Sequence, residues 1–371
     1  MNTPDQPQRA KRYEAIHNWL FVVETALTLL LLLALLLTGG SVWLAGTVRS
    51  LTGNPWLYMA LFGGILVVGA KLIFLPLNWF GDFYLEHRYQ LSNETITGWV
   101  VDELKSFGLN LVLGVAVLDV IYFLLRRAGP VWWIWAGLFM LVFGVVLSAL
   151  FPVVILPLFY KLQPLENESL RQRLVVLAER VGARVLGVYR MTMSTKTKKA
   201  NAAFAGLGAT KRIILGDTLL NNFSEDEIEV VMAHEMAHYK HGDIWKMIGW
   251  SAGTTWVGLW LADCGLRRGL HHFGFTDVSD LSAFPLLALC LFGFGLIVLP
   301  VNNAFSRWRE RKADHAALDL TRNPTGFASA MRKLAAQNLA DVAPHPVIEF
   351  LLHDHPALNR RIALAEQWQP N

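Results

Sequence analysis

The sequence predicts a mainly α-helical, polytopic membrane protein with about six transmembrane helices and a soluble hydrolytic part carrying a small β-sheet. Three observations lead there. The 371 residues are 54% hydrophobic and only 17% charged, where ordinary soluble domains carry about a quarter charged residues. The apolar residues gather into stretches long enough to cross ~30 Å of hydrocarbon as helices. Between those stretches lies His234-Glu235-Met236-Ala237-His238, an HExxH string of the kind that builds hydrolytic zinc sites.

The apolar stretches cover residues 19–39, 57–77, 107–125, 131–160, 244–262 and 283–301. The first follows Arg9, Lys11 and Arg12 but is too long for a signal-peptide core and has no small-residue cleavage site after it, so it is expected to remain as an anchor. The fourth has no charge at all, whereas those at 244–262 and 283–301 could equally be buried or re-entrant helices. Six spans put both termini on one side. The basic N-terminus favours the cytoplasm, and with it the segment 161–243 that holds the HExxH string, although Arg126, Arg127, Arg267 and Arg268 then fall outside. Glu24, Lys71 and Asp119 sit at membrane depth, where a charge is costly without a partner or water. A Glu24–Lys71 ion pair, snorkelling by Lys71, or a hydrated interior would account for them.

The chain divides into a membrane domain, 1–160, with about four of the transmembrane helices, and a peptidase domain, 161–371, with about two more. Its two cysteines, Cys264 and Cys290, have no metal-ligand spacing and read as small buried hydrophobes. The net charge of +4 is dispersed, with no basic stripe interleaved with aromatics, which excludes a nucleic-acid-binding surface.

In the peptidase domain, residues 201–208 and 212–215 are short β-prone runs about a glycine-containing turn. They read as a hairpin, joined by a strand near 185–191. An exposed edge there would accept an extended peptide by strand addition.

Ser224, followed by Asp226 and Glu227, then reads as the N-cap of a helix through Ile228, Val230, Val231 and Ala233 into the motif. The i, i+4 spacing puts His234 and His238 on one face, a turn apart, with Glu235 beside them. A catalytic zinc needs a third protein ligand. His241, Asp243, Glu310, Asp314 and His315 are all candidates. Glu310 and Asp314 share a helical face, so one could bind metal while the other orients an imidazole, but spacing alone does not choose among the five.

Beyond this string, residues 303–314 carry Asn303, Ser306, Arg307, Glu310, Ala313 and Asp314 in the pattern N-x-x-S-R-x-x-E-x-x-A-D, and His355-Pro356-Ala357-Leu358 leads to Arg361-Ile362. With the loop 89–105, these segments resemble the type I CAAX prenyl protease family, integral-membrane zinc metallopeptidases of the gluzincin type related to HtpX-like membrane proteases. One departure is Ala357, where the family's H-P-P-L motif has a second proline.

The resemblance implies one Zn²⁺ held by His234, His238 and Glu310, with Glu235 as general base. Asp314 becomes a neighbouring support or proton donor. His355 and Arg361 would line the site, holding the scissile carbonyl or the substrate's C-terminal carboxylate, and Asn201 would contact substrate. The expected activity is endoproteolysis of a peptide or protein, lipidated or membrane-inserted, within the lipid bilayer. A shorter-chain quality-control protease and a non-catalytic metal-binding scaffold are the alternatives, the latter disfavoured by the intact Glu235. A bacterial inner membrane is expected, or the endoplasmic reticulum if the source is eukaryotic.

Overall fold

The computed structural model describes residues 6–206 and 208–370. Leu207, in the expected hairpin turn, lies outside them. The chain begins with the anchor helix Gln6–Leu37, 32 residues and therefore about 48 Å long. Gly39, at φ 72°, turns the chain into the short helix Gly40–Leu51, a backbone conformation that only glycine reaches without steric cost. This short helix lies at the far end of the bundle, where Ser41 Oγ donates to the Ser282 carbonyl at 2.8 Å.

The helix Pro55–Asn78 returns, its first turn capped by the Asn54 side chain, and widens into a π turn at Trp79–Leu85. Ile96–Arg127, capped by Thr95, and Trp132–Leu150, which continues into a second π turn at Phe151–Ile155, complete the first four passages. The helices Asp243–Phe273 and Phe284–Thr321 then pack side by side. Large apolar side chains such as Trp19, Leu30, Val112 and Ile297 face outward, as expected of helices whose solvent is lipid.

Five helical segments among the described residues are long and apolar enough to cross a membrane: Gln6–Leu37, Pro55–Arg88, Ile96–Arg127, Gly129–Phe159 and Leu281–Thr321. The expected count of six is corrected at residues 244–262. A helix forms there and is long enough, but the Gly, Ser, Thr and Trp residues between Lys246 and Asp263 leave it less apolar than the other five. Asp263 is buried and satisfied inside the bundle, accepting from Trp132 Nε1 at 2.7 Å and Arg267 Nε at 2.8 Å. The proposed Glu24–Lys71 pair is also corrected: Lys71 pairs with Glu103 on the helix Ile96–Arg127.

A four-stranded sheet follows the fourth passage, made of β1 (Leu162–Pro164), β2 (Val188–Met191), β3 (Ala202–Ala205) and β4 (Arg212–Gly216) in the order β1-β2-β4-β3. The expected hairpin is β3 and β4, antiparallel with Ala203 opposite Ile214. The expected third strand, β2, pairs with β4 in parallel. Strand β1 was not expected, being three residues with a proline at its end. Ile213 and Leu215 of β4 are fully buried against Leu170, Leu174 and Leu177 of the helix Glu168–Arg180 and against Val230 and Met232 of the motif helix. β3 is left as one free edge of the sheet.

The N-terminal end of the anchor helix touches this sheet-bearing part. Gln6 donates to the Ala336 carbonyl at 3.2 Å, and Glu14 accepts from the Asp341 amide at 3.0 Å and pairs with His353 at 2.9 Å. The basic end of the anchor and the HExxH motif therefore share one side of the bundle.

Candidate active site

The motif helix Glu225–Lys240 starts at Ser224 with a complete capping box: Ser224 Oγ accepts from the Glu227 amide while the Glu227 carboxylate accepts from the Ser224 amide. Three acidic residues occupy its first turn, favourable at the positive end of the helix dipole. Val230, Met232, Ala233 and Met236 are buried, which fixes the helix's rotation and turns His234 and His238 toward the long helix Phe284–Thr321. Their rings stand perpendicular with centroids 4.9 Å apart.

Glu310 meets both imidazoles. Its Oε2 lies 3.1 Å from His234 Nε2, and its Oε1 lies 3.2 Å from His238 Nε2. The opposite ring nitrogens are held by other carboxylates, His234 Nδ1 at 2.9 Å from Asp314 Oδ1 and His238 Nδ1 at 2.9 Å from Asp243 Oδ2. A carboxylate only accepts, so each Nδ1 carries a proton, and a metal that displaces the proton between Nε2 and Glu310 would meet the Nε2 lone pairs.

Arg361 Nη2 also lies 3.3 Å from His234 Nδ1, but the guanidinium is committed to Asp314, which it grips at 2.9 and 2.6 Å. Burial alone would lower the His234 pKa. Its contacts with Asp314 and Glu310 outweigh that and push it to about 9, so a metal must displace a firmly held proton and binds better as pH rises.

This arrangement fits a divalent metal. One ligand atom each from His234, His238 and Glu310 lie within 4.8 Å of one another, and the buried Glu310 Oε2 makes no well-directed hydrogen bond. Two imidazole nitrogens and a carboxylate oxygen are the donor set of a catalytic zinc with an open fourth position. Glu235 is half-buried beside them and has no hydrogen-bond or ion-pair partner among the described residues.

The other expected residues fall into distinct environments. His355 is at the rim, its Nε2 3.4 Å from Glu310 Oε2 and its Nδ1 2.8 Å from Asp354. The Asp354 contact raises its pKa against the opposing effect of burial. Arg361 and Asp314 are buried beside His234, Arg361 donating to Asp314 through Nε and Nη2.

Asn201 immediately precedes β3, its side chain exposed and its carbonyl accepting from the Gly216 amide at 2.9 Å. Of the five candidates for the third ligand, Glu310 is the one that joins the histidines. His241 closes the motif helix, and His315 is exposed.

Asp243 proves to be the support of His238, a role the spacing did not reveal. The signal was Gly242, whose φ of 65° folds the chain back at the end of the motif helix. Asp243→Asn is expected to weaken metal affinity roughly 10- to 100-fold in a chelator competition. Unchanged affinity would show the contact to be incidental.

Residues 164–369 match the model of peptidase family M48, and residues 2–161 match the model described as CAAX prenyl protease N-terminal, five membrane helices. The chain belongs to peptidase family M48. It is similar to an uncharacterized metalloprotease, YhfN, of Bacillus subtilis, with 30% identity covering 98% of this chain and 86% of that one. It is also similar to the probable CAAX prenyl protease 1 of Schizosaccharomyces pombe, with 27% identity covering 96% and 78%. In fold it resembles the crystal structure of S. mikatae Ste24p, with a TM-score of 0.87 at 23% identity, covering 99% of this chain and 90% of that one. This M48 chain is thus an integral-membrane metalloendopeptidase acting on a peptide or protein substrate with a metal cofactor.

Proposed function

We propose that the metal is one Zn²⁺ held by His234, His238 and Glu310, and that the enzyme cleaves near the C-terminus of a lipidated or strongly apolar peptide at the cytoplasmic face of a bacterial inner membrane. The observation that carries the substrate class is an apolar cavity of about 380 Å³ lined by Val117, Ile121, Leu259, Leu291, Phe294 and Asn302, among others. Asn302 precedes Glu310 by two turns of the same helix, about 12 Å along its axis. An apolar chain in that cavity would keep a neighbouring peptide bond close to the histidines, using binding energy remote from the reacting atoms.

Bound zinc would polarise the scissile carbonyl and acidify water. Glu235, with no competing partner, takes the proton of the attacking water and delivers it to the leaving amine. Asp314 and Asp243 fix the ring orientation of His234 and His238, and Arg361 holds Asp314 in turn. His355, whose pKa the Asp354 contact raises, would in its protonated form offer an N–H at the rim where the carbonyl oxygen gains charge. The free edge of β3 would pair with substrate backbone, with the exposed Asn201 side chain as a further contact.

The basic Arg9, Lys11 and Arg12, on the same side as the site, support cytoplasmic orientation. The Bacillus subtilis relative supports the bacterial membrane. The start of the sheet at Leu162 supports division into a membrane domain at 1–160 and a peptidase domain at 161–371.

Cleavage of a quenched farnesylated peptide beside its unlipidated twin tests the substrate class. The farnesylated peptide is expected to show a kcat/KM roughly tenfold higher or more, with both activities lost to a chelator. Equal rates would favour an unspecific quality-control protease.

A further inference from the structure

We infer that Arg307, assisted by Asn303, is a positioning residue for His355: it clamps the C-terminal end of the helix Pro346–Leu352 to the helix bearing Glu310, and so aims the imidazole into the site. The inference rests on the role given above to His355.

The segment bearing His355 has no regular structure of its own. It is the link between the helices Pro346–Leu352 and Leu358–Gln367, and a free link would sample many imidazole positions. Its two flanks are instead pinned. On the upstream side, Arg307 Nη1 donates to the carbonyls of Glu349 at 2.9 Å and Phe350 at 3.4 Å, and to that of His353. Asn303 Nδ2 donates to the Leu351 carbonyl at 2.7 Å. Phe350 and Leu351 are last-turn carbonyls without a partner within the helix, Glu349 also accepts from the His353 amide, and His353 lies just past the end, a place that favours a cation.

On the downstream side, the Glu349 carboxylate accepts from the Ala357 amide at 3.0 Å and from Arg360. Only Asp354, His355 and Pro356 remain between the two fixed points. The His353 imidazole also pairs with Glu14 of the anchor helix, so the membrane part steadies the same link.

Arg307 and Asn303 are themselves buried, at 8% and 7% exposure. Arg307 makes no ion pair with a carboxylate among the described residues, so its charge is spent on backbone carbonyls. It stands three residues before Glu310 on one continuous helix, on a neighbouring position of the helical surface. The clamp and the metal ligand therefore keep a constant spacing, and the result is His355 Nε2 at 3.4 Å from Glu310 Oε2. All three bonds leave from the two N–H groups of Nη1, whose directions the planar guanidinium fixes; a lysine at 307 would keep the charge, but its freely rotating ammonium on a different stem would not hold that placement.

The test is a double-mutant cycle in the full-length, zinc-loaded enzyme with one peptide substrate, using Arg307→Lys, His355→Gln and the pair. Arg307→Lys is expected to lower kcat roughly 10- to 100-fold, the range that misplacement of a catalytic group by about 1 Å produces. KM and zinc content should be near wild type. In the His355→Gln background the same change should cost no more than about twofold, because the group it aims is already gone.

Equal losses in both backgrounds, or loss of zinc from Arg307→Lys, would overturn the inference while leaving the role of His355 intact. A His355→Gln enzyme with undiminished kcat would overturn both. Should Arg307→Lys fail to fold, the gentler Asn303→Ala replaces it in the same cycle, with a smaller loss expected and the same criterion of non-additivity.

Discussion

Glu235→Gln is expected to lower kcat by about 10²–10⁴-fold in a protein that still binds its metal. Glutamine keeps the size and much of the hydrogen bonding of glutamate but cannot accept a proton at neutral pH. The metal should be unaffected, because the cluster is formed by His234, His238 and Glu310 without Glu235. Folding should be unaffected too, since Glu235 is half-buried and pairs with no other described residue. Single-turnover cleavage beside metal analysis separates the two effects. Full cleavage by a metal-loaded Glu235→Gln enzyme would remove Glu235 from the chemistry, and loss of metal would move it into the ligand set.

Glu310→Ala is expected to remove both metal and activity. The carboxylate is buried and touches the Nε2 atoms of both histidines, so truncation leaves two of three ligands and an opened fourth side. Catalytic zinc generally requires three protein donors, and activity should fall to background, a larger effect than that of Glu235→Gln. The apoprotein should remain folded, because the other supports of the site do not pass through Glu310. Asp314 remains bound to Arg361, and Asp243 remains bound to His238. Zinc content after dialysis against a weak chelator, read beside a circular dichroism spectrum, distinguishes ligand loss from unfolding. Retained zinc would transfer the third-ligand role to another residue.

What the sequence made legible was governed by distance along the chain. The HExxH pair is local, so helical periodicity alone put His234 and His238 on one face, and Ser224 with Glu227 announced the helix start. Glu310 is on a different helix, and spacing could not prefer it over Asp243 or Asp314; only the motif resemblance did. The hairpin was visible because β3 and β4 flank a glycine turn, whereas β1 is too short to carry an alternating pattern.

Errors arose where the answer depends on how helices rotate against each other. Lys71 pairs with Glu103 and not Glu24, a choice set by packing of helices whose lipid and interior faces are almost equally apolar. The motif resemblance brought Arg361 to the site without naming its protein partner. A chain position says that a guanidinium is near, and only side-chain direction says that it grips Asp314 from behind His234. The helix Asp243–Phe273 shows a third limit: its length suits a span, while its many Gly, Ser, Thr and Trp residues make it less apolar than the others.

Anomalous scattering at the zinc edge from crystals of the full-length protein tests the central claim most directly. The account predicts one zinc peak per chain, about 2.0–2.2 Å from the Nε2 atoms of His234 and His238 and from a carboxylate oxygen of Glu310. A peak elsewhere, or zinc-supplemented, active crystals with no peak at these three side chains, would contradict it.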